Sequence, residues 1–345
     1  MVDLMKKEIK VTFETITPLW TGDAWEECKD IRPSSLLGSL RFWFEVYYIT
    51  EILKEEGEIK KFLKNYLDSQ GKPQEKLEYE KFRKLFLEEL KEVLKNINND
   101  NINLDEIIGN VLQESNISIP SRIFGCTGWK SRIEIKIEDF TKKEIELNNL
   151  ILNKPINCGR WVNKTLFNND ENKITVFENV KITLKTTEYW WDTYLKPFFE
   201  YLKDKIILFG GKKSFGFGFV NLKYIEDKEQ QKNEIFPFEN EYIYQNTICL
   251  ENKKPIKNLV LGFNFRYYLR EENTIKLFRE KNFGNRGEST KIYISNLDLF
   301  KKEIRDKLYI FIFKKEEPFD LKNKGIPNDI IRNYVEILKN LNLGE

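Results

Sequence analysis

Residues 210–218 read Gly-Gly-Lys-Lys-Ser-Phe-Gly-Phe-Gly, which sets two lysines and two phenylalanines among four glycines. Glycine lets a backbone turn tightly or approach a ligand, lysine pairs with phosphate, and phenylalanine can stack on an unpaired base. The nucleotide signatures fail here. No Gly stands four residues before a Gly-Lys-Ser/Thr, so there is no P-loop. The dinucleotide fingerprint fails as well, because Asn221 occupies its third glycine position and no helix is expected after the loop. What remains is a basic, aromatic-tipped hairpin suited to an RNA backbone, with Gly211, Lys212, Lys213, Ser214 and Phe215 as candidate RNA contacts. Phe217 is a second candidate for stacking on a base.

A second signal is a repeat. Residues 124–135, FGCTGWKSRIEI, align without a gap on residues 283–294, FGNRGESTKIYI. Both copies carry Phe-Gly-x-x-Gly, then a basic residue, then Ile-x-Ile entering a strand. A shared turn at this separation points to two related modules. Lys130, Arg132, Arg286 and Lys291 lie beside the two turns and are candidate phosphate partners. A β-turn needing glycine for geometry alone explains either copy equally well.

Composition narrows the chemistry. The chain has 345 residues, enough for two cores, and 57 basic against 55 acidic residues. Charge is unevenly placed: carboxylates crowd into Glu51–Glu92, while the glycine turns carry Lys and Arg. There is no histidine. Ser-His-Asp and Cys-His nucleophile systems, His-based metal sites and His-dependent RNA cleavage are therefore excluded. Carboxylate-only metal chemistry and a Tyr/Lys type of RNA cleavage survive. Cys28, Cys126, Cys158 and Cys249 form no CxxC pair, so reduced thiols and no zinc site are expected. No cofactor is implied. The opening MVDLMKKEIKVTF has no apolar h-region and no run is long enough to span a bilayer, so a cytoplasmic protein is expected.

The elements that must position these residues follow from periodicity. Ile9, Val11 and Phe13 alternate in a strand over 8–15. Ser34 is the expected N-cap of a helix over 35–49, with Leu36, Leu40, Trp43 and Tyr47 facing a sheet and Arg41 beside that stripe. Residues 51–113 read as inserted helices with mixed charges on a solvated face. Strands are expected at 131–137, 173–186 and 219–225, and a helix at 188–205 that Pro197 should kink or split. This strand–helix–strand–strand–helix–strand order is that of a ferredoxin-like (RNA-recognition-type) domain. The fold expectation is therefore α+β: two ferredoxin-like domains in tandem, over 1–225 and 235–345, joined by a linker at 226–234. The second should hold strands near 259–269, 291–294 and 308–314 and a closing helix at 328–341.

At these residues the chain resembles the RAMP superfamily of CRISPR-associated proteins, whose mark is a glycine-rich loop ahead of a late strand, as in GGKKSFGFGFV. ITPLWTGDA followed by IRPSSLLGSLRFWF is similar to the opening of the family of first subunits of the type III-B (Cmr) effector complex. The resemblance implies a non-catalytic, RNA-binding subunit near the 3′ end of the crRNA and the bound target RNA, with other Cmr subunits as partners. It carries over Arg32, Ser34, Ser35, Gly38, Arg41 and Trp43 from the helix block and Gly210–Gly218 from the loop. For Arg41 and Trp43, packing of the helix on its sheet is the competing explanation. The alternative function is a metal-independent, guide-processing endoribonuclease of the same superfamily; a third is a scaffold with little RNA affinity.

Overall fold

Ile9, Val11 and Phe13 all turn into the core from β1 (Lys6–Thr15), the central strand of the main sheet. In the computed structural model, residues 6–22, 29–69, 73–95, 102–146, 173–226, 228–229, 243–249, 291–294 and 307–313 are described. β2 (Glu134–Glu146), β3 (Lys173–Thr187), β4 (Ile206–Leu208) and β5 (Phe219–Ile225) complete an antiparallel sheet of order β2-β3-β1-β5-β4. β6 (Lys228–Glu229) folds back on β5. Thus β3 lies between β1 and β2, and the strand–helix–strand–strand–helix–strand order expected of residues 8–225 is present.

β2 starts later and runs further than the expected strand. Its charged second half, Thr141–Glu146, pairs with Lys173–Glu178 beyond the reach of β1. That half carries few apolar residues to alternate, which is why periodicity did not announce it.

The first helix, α1 (Pro33–Tyr47), buries Leu36, Leu40, Trp43 and Phe44. Its N-cap is Arg32 in an extended conformation, not Ser34, and no side chain caps the end. Pro33 explains the shift: its fixed φ and missing N–H suit the first helical position, which moves Ser34 inside the helix. A π-helical turn, Tyr48–Leu53, follows.

The insertion forms α2 (Glu56–Tyr66), α3 (Tyr79–Lys95) and α4 (Leu104–Glu114), followed by α5 (Ile119–Phe124). Asn103 caps α4 by accepting from the Glu106 N–H at 3.3 Å. α4 buries Ile107, Val111 and Leu112, whereas α3 buries none of its side chains fully. The later helical arm consists of a turn Glu188–Trp190, a π-helical turn Trp191–Leu195, and α6 (Lys196–Leu202). The break falls just before Pro197, which sits in the first turn of α6, where a missing N–H costs nothing. Trp190, Trp191, Phe198, Phe199 and Leu202 from this arm pack with α1 into one core.

A second antiparallel sheet joins β7 (Ile243–Cys249), β8 (Lys291–Ile294) and β9 (Lys307–Phe313) in the order β7-β9-β8. β8 and β9 fall where strands were expected, and β7 was not foreseen. The expected strand at 259–269 and helix at 328–341 lie outside the described residues, as does most of the linker. Among the described residues no helix is long and apolar enough to cross a membrane.

Candidate nucleic-acid interface

The glycine loop leaves β4 and returns as β5, and backbone bonds pin it at both ends. Phe209 N–H donates to Gly218 O at 2.8 Å, and Gly218 N–H donates to Pro18 O at 2.9 Å. Gly211 N–H donates to Trp20 O at 2.8 Å, and Gly210 N–H donates to Ser39 Oγ of α1 at 3.2 Å. Gly210 and Gly218 have φ of 71° and 81°, and a side chain at either would strike a carbonyl oxygen, of Trp20 and of Phe209 respectively. These two glycines are required by the turn itself.

Lys212 is held in the left-handed region at φ 50°, unusual for a residue with a Cβ. Its ammonium lies over the Trp20 ring, 4.3 Å from the centroid. Lys212 and Lys213 are half-buried.

Phe215 and Phe217, read as stacking residues, are 1% and 0% exposed. That reading is corrected: both rings are anchors inside the protein and present no face to a base. The backbone of Ser214 lies in a short 3-10 turn, Lys213–Phe215, and β8 of the second sheet runs beside that turn. The strand that Lys291 opens is therefore brought to the loop.

On α1, Arg32 and Ser34 are exposed and Ser35 is partly exposed in the first turn. Gly38, one turn on, is exposed with nothing within 4 Å of where a Cβ would stand. Of the two other residues carried over from the helix block, Arg41 is half-buried and Trp43 buried. Trp43 is 0% exposed and its Nε1–H donates to Leu208 O at 3.1 Å, so it bolts α1 to β4 and offers no face to RNA. Arg41 donates through Nε to Glu45 Oε1 at 3.0 Å and to Tyr66 OH at 3.1 Å. Its Nη1 donates to Gly125 O at 2.8 Å, and its Nη2 to Tyr66 OH at 2.8 Å and Ser121 Oγ at 3.1 Å. The Tyr66 hydroxyl in turn donates to Glu45 Oε1. Burial pushes the Glu45 carboxyl above its ordinary value, against the opposing pull of Tyr66 and Arg41. Arg41 thus joins α1, α2, α5 and the turn that follows α5. Its guanidinium faces protein acceptors on every side named.

That turn is the first copy of the repeat. Gly125 ends α5 at φ 90°, and Cys126 and Trp129 exchange both backbone bonds, at 3.0 and 2.9 Å, around Thr127 and Gly128. Trp129 Nε1–H donates to Arg122 O at 2.9 Å, and the Arg132 guanidinium lies 4.3 Å from the Trp129 ring centroid. Burial holds the Arg132 guanidinium below its ordinary value. Lys130 is exposed. In the second copy only the strand, Lys291–Ile294, is described; Arg286 and its turn lie outside the described residues.

Ser39 and Arg41 are two positions apart and so leave α1 on nearly opposite sides. One reaches the glycine loop and the other the Phe124–Arg132 turn. The structure therefore gathers Gly211, Lys212, Lys213 and Ser214 on one side of α1, with β8 beside them, and sets Lys130 and Arg132 on the other. Sequence reasoning missed Trp20. The Thr-Pro-Leu-Trp-Thr-Gly turn contained it, but nothing in the spacing tied that turn to residue 212.

The loop, the helix block and the sheet order define a recognisable class. A family model for the RAMP superfamily matches residues 12–221. The chain belongs to the RAMP superfamily. No curated protein matches it. Among solved structures it is similar to the crystal structure of Cmr1 from Pyrococcus furiosus in its apo form, at 11% identity and a TM-score of 0.46, over 96% of this chain and 97% of that one.

Proposed function

We propose that this chain is a non-catalytic, RNA-binding subunit of a type III-B (Cmr) CRISPR effector complex in the cytoplasm. In this reading it holds the 3′ region of the crRNA, the bound target RNA or both, and docks to the other Cmr subunits. It is built from two ferredoxin-like units in tandem: the β2-β3-β1-β5 order supports the first, and the β7-β9-β8 sheet is part of the second. Membership of the RAMP superfamily and the likeness of the ITPLWTGDA and IRPSSLLGSLRFWF blocks to Cmr first subunits support the assignment.

One observation carries the RNA reading. Lys212 and Lys213 stand on a loop whose backbone is fixed from both sides, tied to Ser39 of α1 and flanked by β8 of the second sheet. A fixed, basic loop suits a sugar-phosphate chain.

The test is the salt dependence of binding to single-stranded RNA. Each phosphate contact contributes about 0.7 to the slope of log affinity against log salt, so the double variant Lys212→Ala, Lys213→Ala should be shallower by about 1.4. An unchanged slope would leave the scaffold reading in its place. Specific, stoichiometric cleavage of repeat RNA without divalent metal would replace it with the endoribonuclease reading.

A further inference from the structure

We propose that Trp20 is the base-stacking residue of the glycine-loop site, which makes that site selective for unpaired, base-bearing RNA over a bare phosphate chain. The proposal rests on the RNA-binding reading above and names the group that such a site needs. The loop's own aromatics cannot serve, because Phe215 and Phe217 are buried. Trp20 is the half-buried ring that the structure puts in their place, directly beneath the Lys212 ammonium.

Two features set Trp20 apart from ordinary loop packing. The first is its seat. A Cβ at Gly211 would stand 2.7 Å from Trp20 Cε3 and Cζ3, and one at Gly22 would collide with Cη2. Both neighbours give up their side chains to the indole, yet the ring stays partly in solvent and is absent from the apolar core. A ring held in one orientation at the surface loses little freedom when a base stacks on it. The second is the cation. A lysine drawn over an indole face by the ring quadrupole swings off that face when a base stacks there, and its ammonium is then placed to meet the phosphate of that base. Trp20 O also accepts from Gly211 N–H, so indole and lysine are fixed to the same short stretch of backbone.

The measurement compares two probes, a labelled single-stranded oligoadenylate and an abasic oligomer of equal length. Trp20→Ala should weaken oligoadenylate binding roughly tenfold and leave the salt slope unchanged, since stacking releases no counterions. The abasic oligomer should lose almost nothing. Trp20→Phe, which keeps a ring in the seat, should recover most of the loss. Unaltered oligoadenylate affinity in Trp20→Ala overturns the proposal. An equal loss for both probes, restored in Trp20→Phe, also overturns it, because Trp20 would then serve only to hold the loop. If the wild-type chain binds neither probe, or the lysine double variant keeps the full salt slope, the RNA-binding reading itself falls and takes this one with it.

Discussion

Trp43→Ala should lower the folding free energy by about 3–5 kcal/mol, the range for deleting a fully buried aromatic side chain. The side chain is 0% exposed and its Nε1–H donates to Leu208 O, at the last residue of β4 before the glycine loop. Urea unfolding followed by circular dichroism measures the effect. Trp43→Phe separates volume from hydrogen bonding: it should cost about 1–2 kcal/mol, mostly for the lost hydrogen bond to Leu208 O. The folded Trp43→Phe protein should bind RNA as the wild type does. A loss of RNA affinity without a loss of stability would contradict a purely interior role.

Arg41→Ala should be nearly as costly, at about 3 kcal/mol, because it strips a cation from a largely buried carboxylate and removes a donor from Tyr66, Gly125 and Ser121. Arg41→Lys should rescue little, since one ammonium cannot span Glu45, Tyr66, Gly125 and Ser121 as the planar fork does. The penalty should depend on pH. Burial already raises the Glu45 carboxyl, and losing Arg41 raises it further. A carboxyl raised in the folded state favours folding while it is protonated and ceases to do so as it ionises. The Arg41→Ala penalty should therefore grow as pH climbs from the ordinary carboxylate value of 4.5, and shrink on acidification. Unfolding midpoints of wild type and variant across that range check the sign.

Local pattern carried much of the first unit. Strands whose apolar residues alternate, such as β1 and β5, and the apolar stripe of α1 were legible, because burial of one face leaves its period in the chain. The site was legible only in part. That a loop rich in glycine and lysine would be exposed enough to meet a ligand is a local statement, and Lys212 and Lys213 fit it. Which of its aromatics would be free is not local. Phe215 and Phe217 look like tips in the sequence, yet the positive φ at Gly216 and Gly218 turns the chain back and both side chains end up inside. Arg41 misled for a similar reason. A basic residue next to an apolar stripe reads as solvent-facing until α2, α5 and the Gly125 turn, 25 to 84 residues away, close around it. β7 went unread because polar and apolar residues mix along Ile243–Cys249 without a clean alternation.

The same arginine bears on how the chain can be cut. Residues 51–113 have the composition of a detachable cassette, charged and helical, between two parts of an older fold. Tyr66, however, belongs to α2 and completes the Arg41 ring of acceptors, and Leu77 and Leu112 join the core of the main sheet. The Leu77 N–H also donates to Thr127 O at 2.8 Å, tying the insertion to the Phe124–Arg132 turn. Excising the helices would open the centre of the molecule, not its rim. A chain shortened by these helices would leave Arg41 without the Tyr66 hydroxyl, so the deletion should be tolerated better when Arg41 is replaced as well.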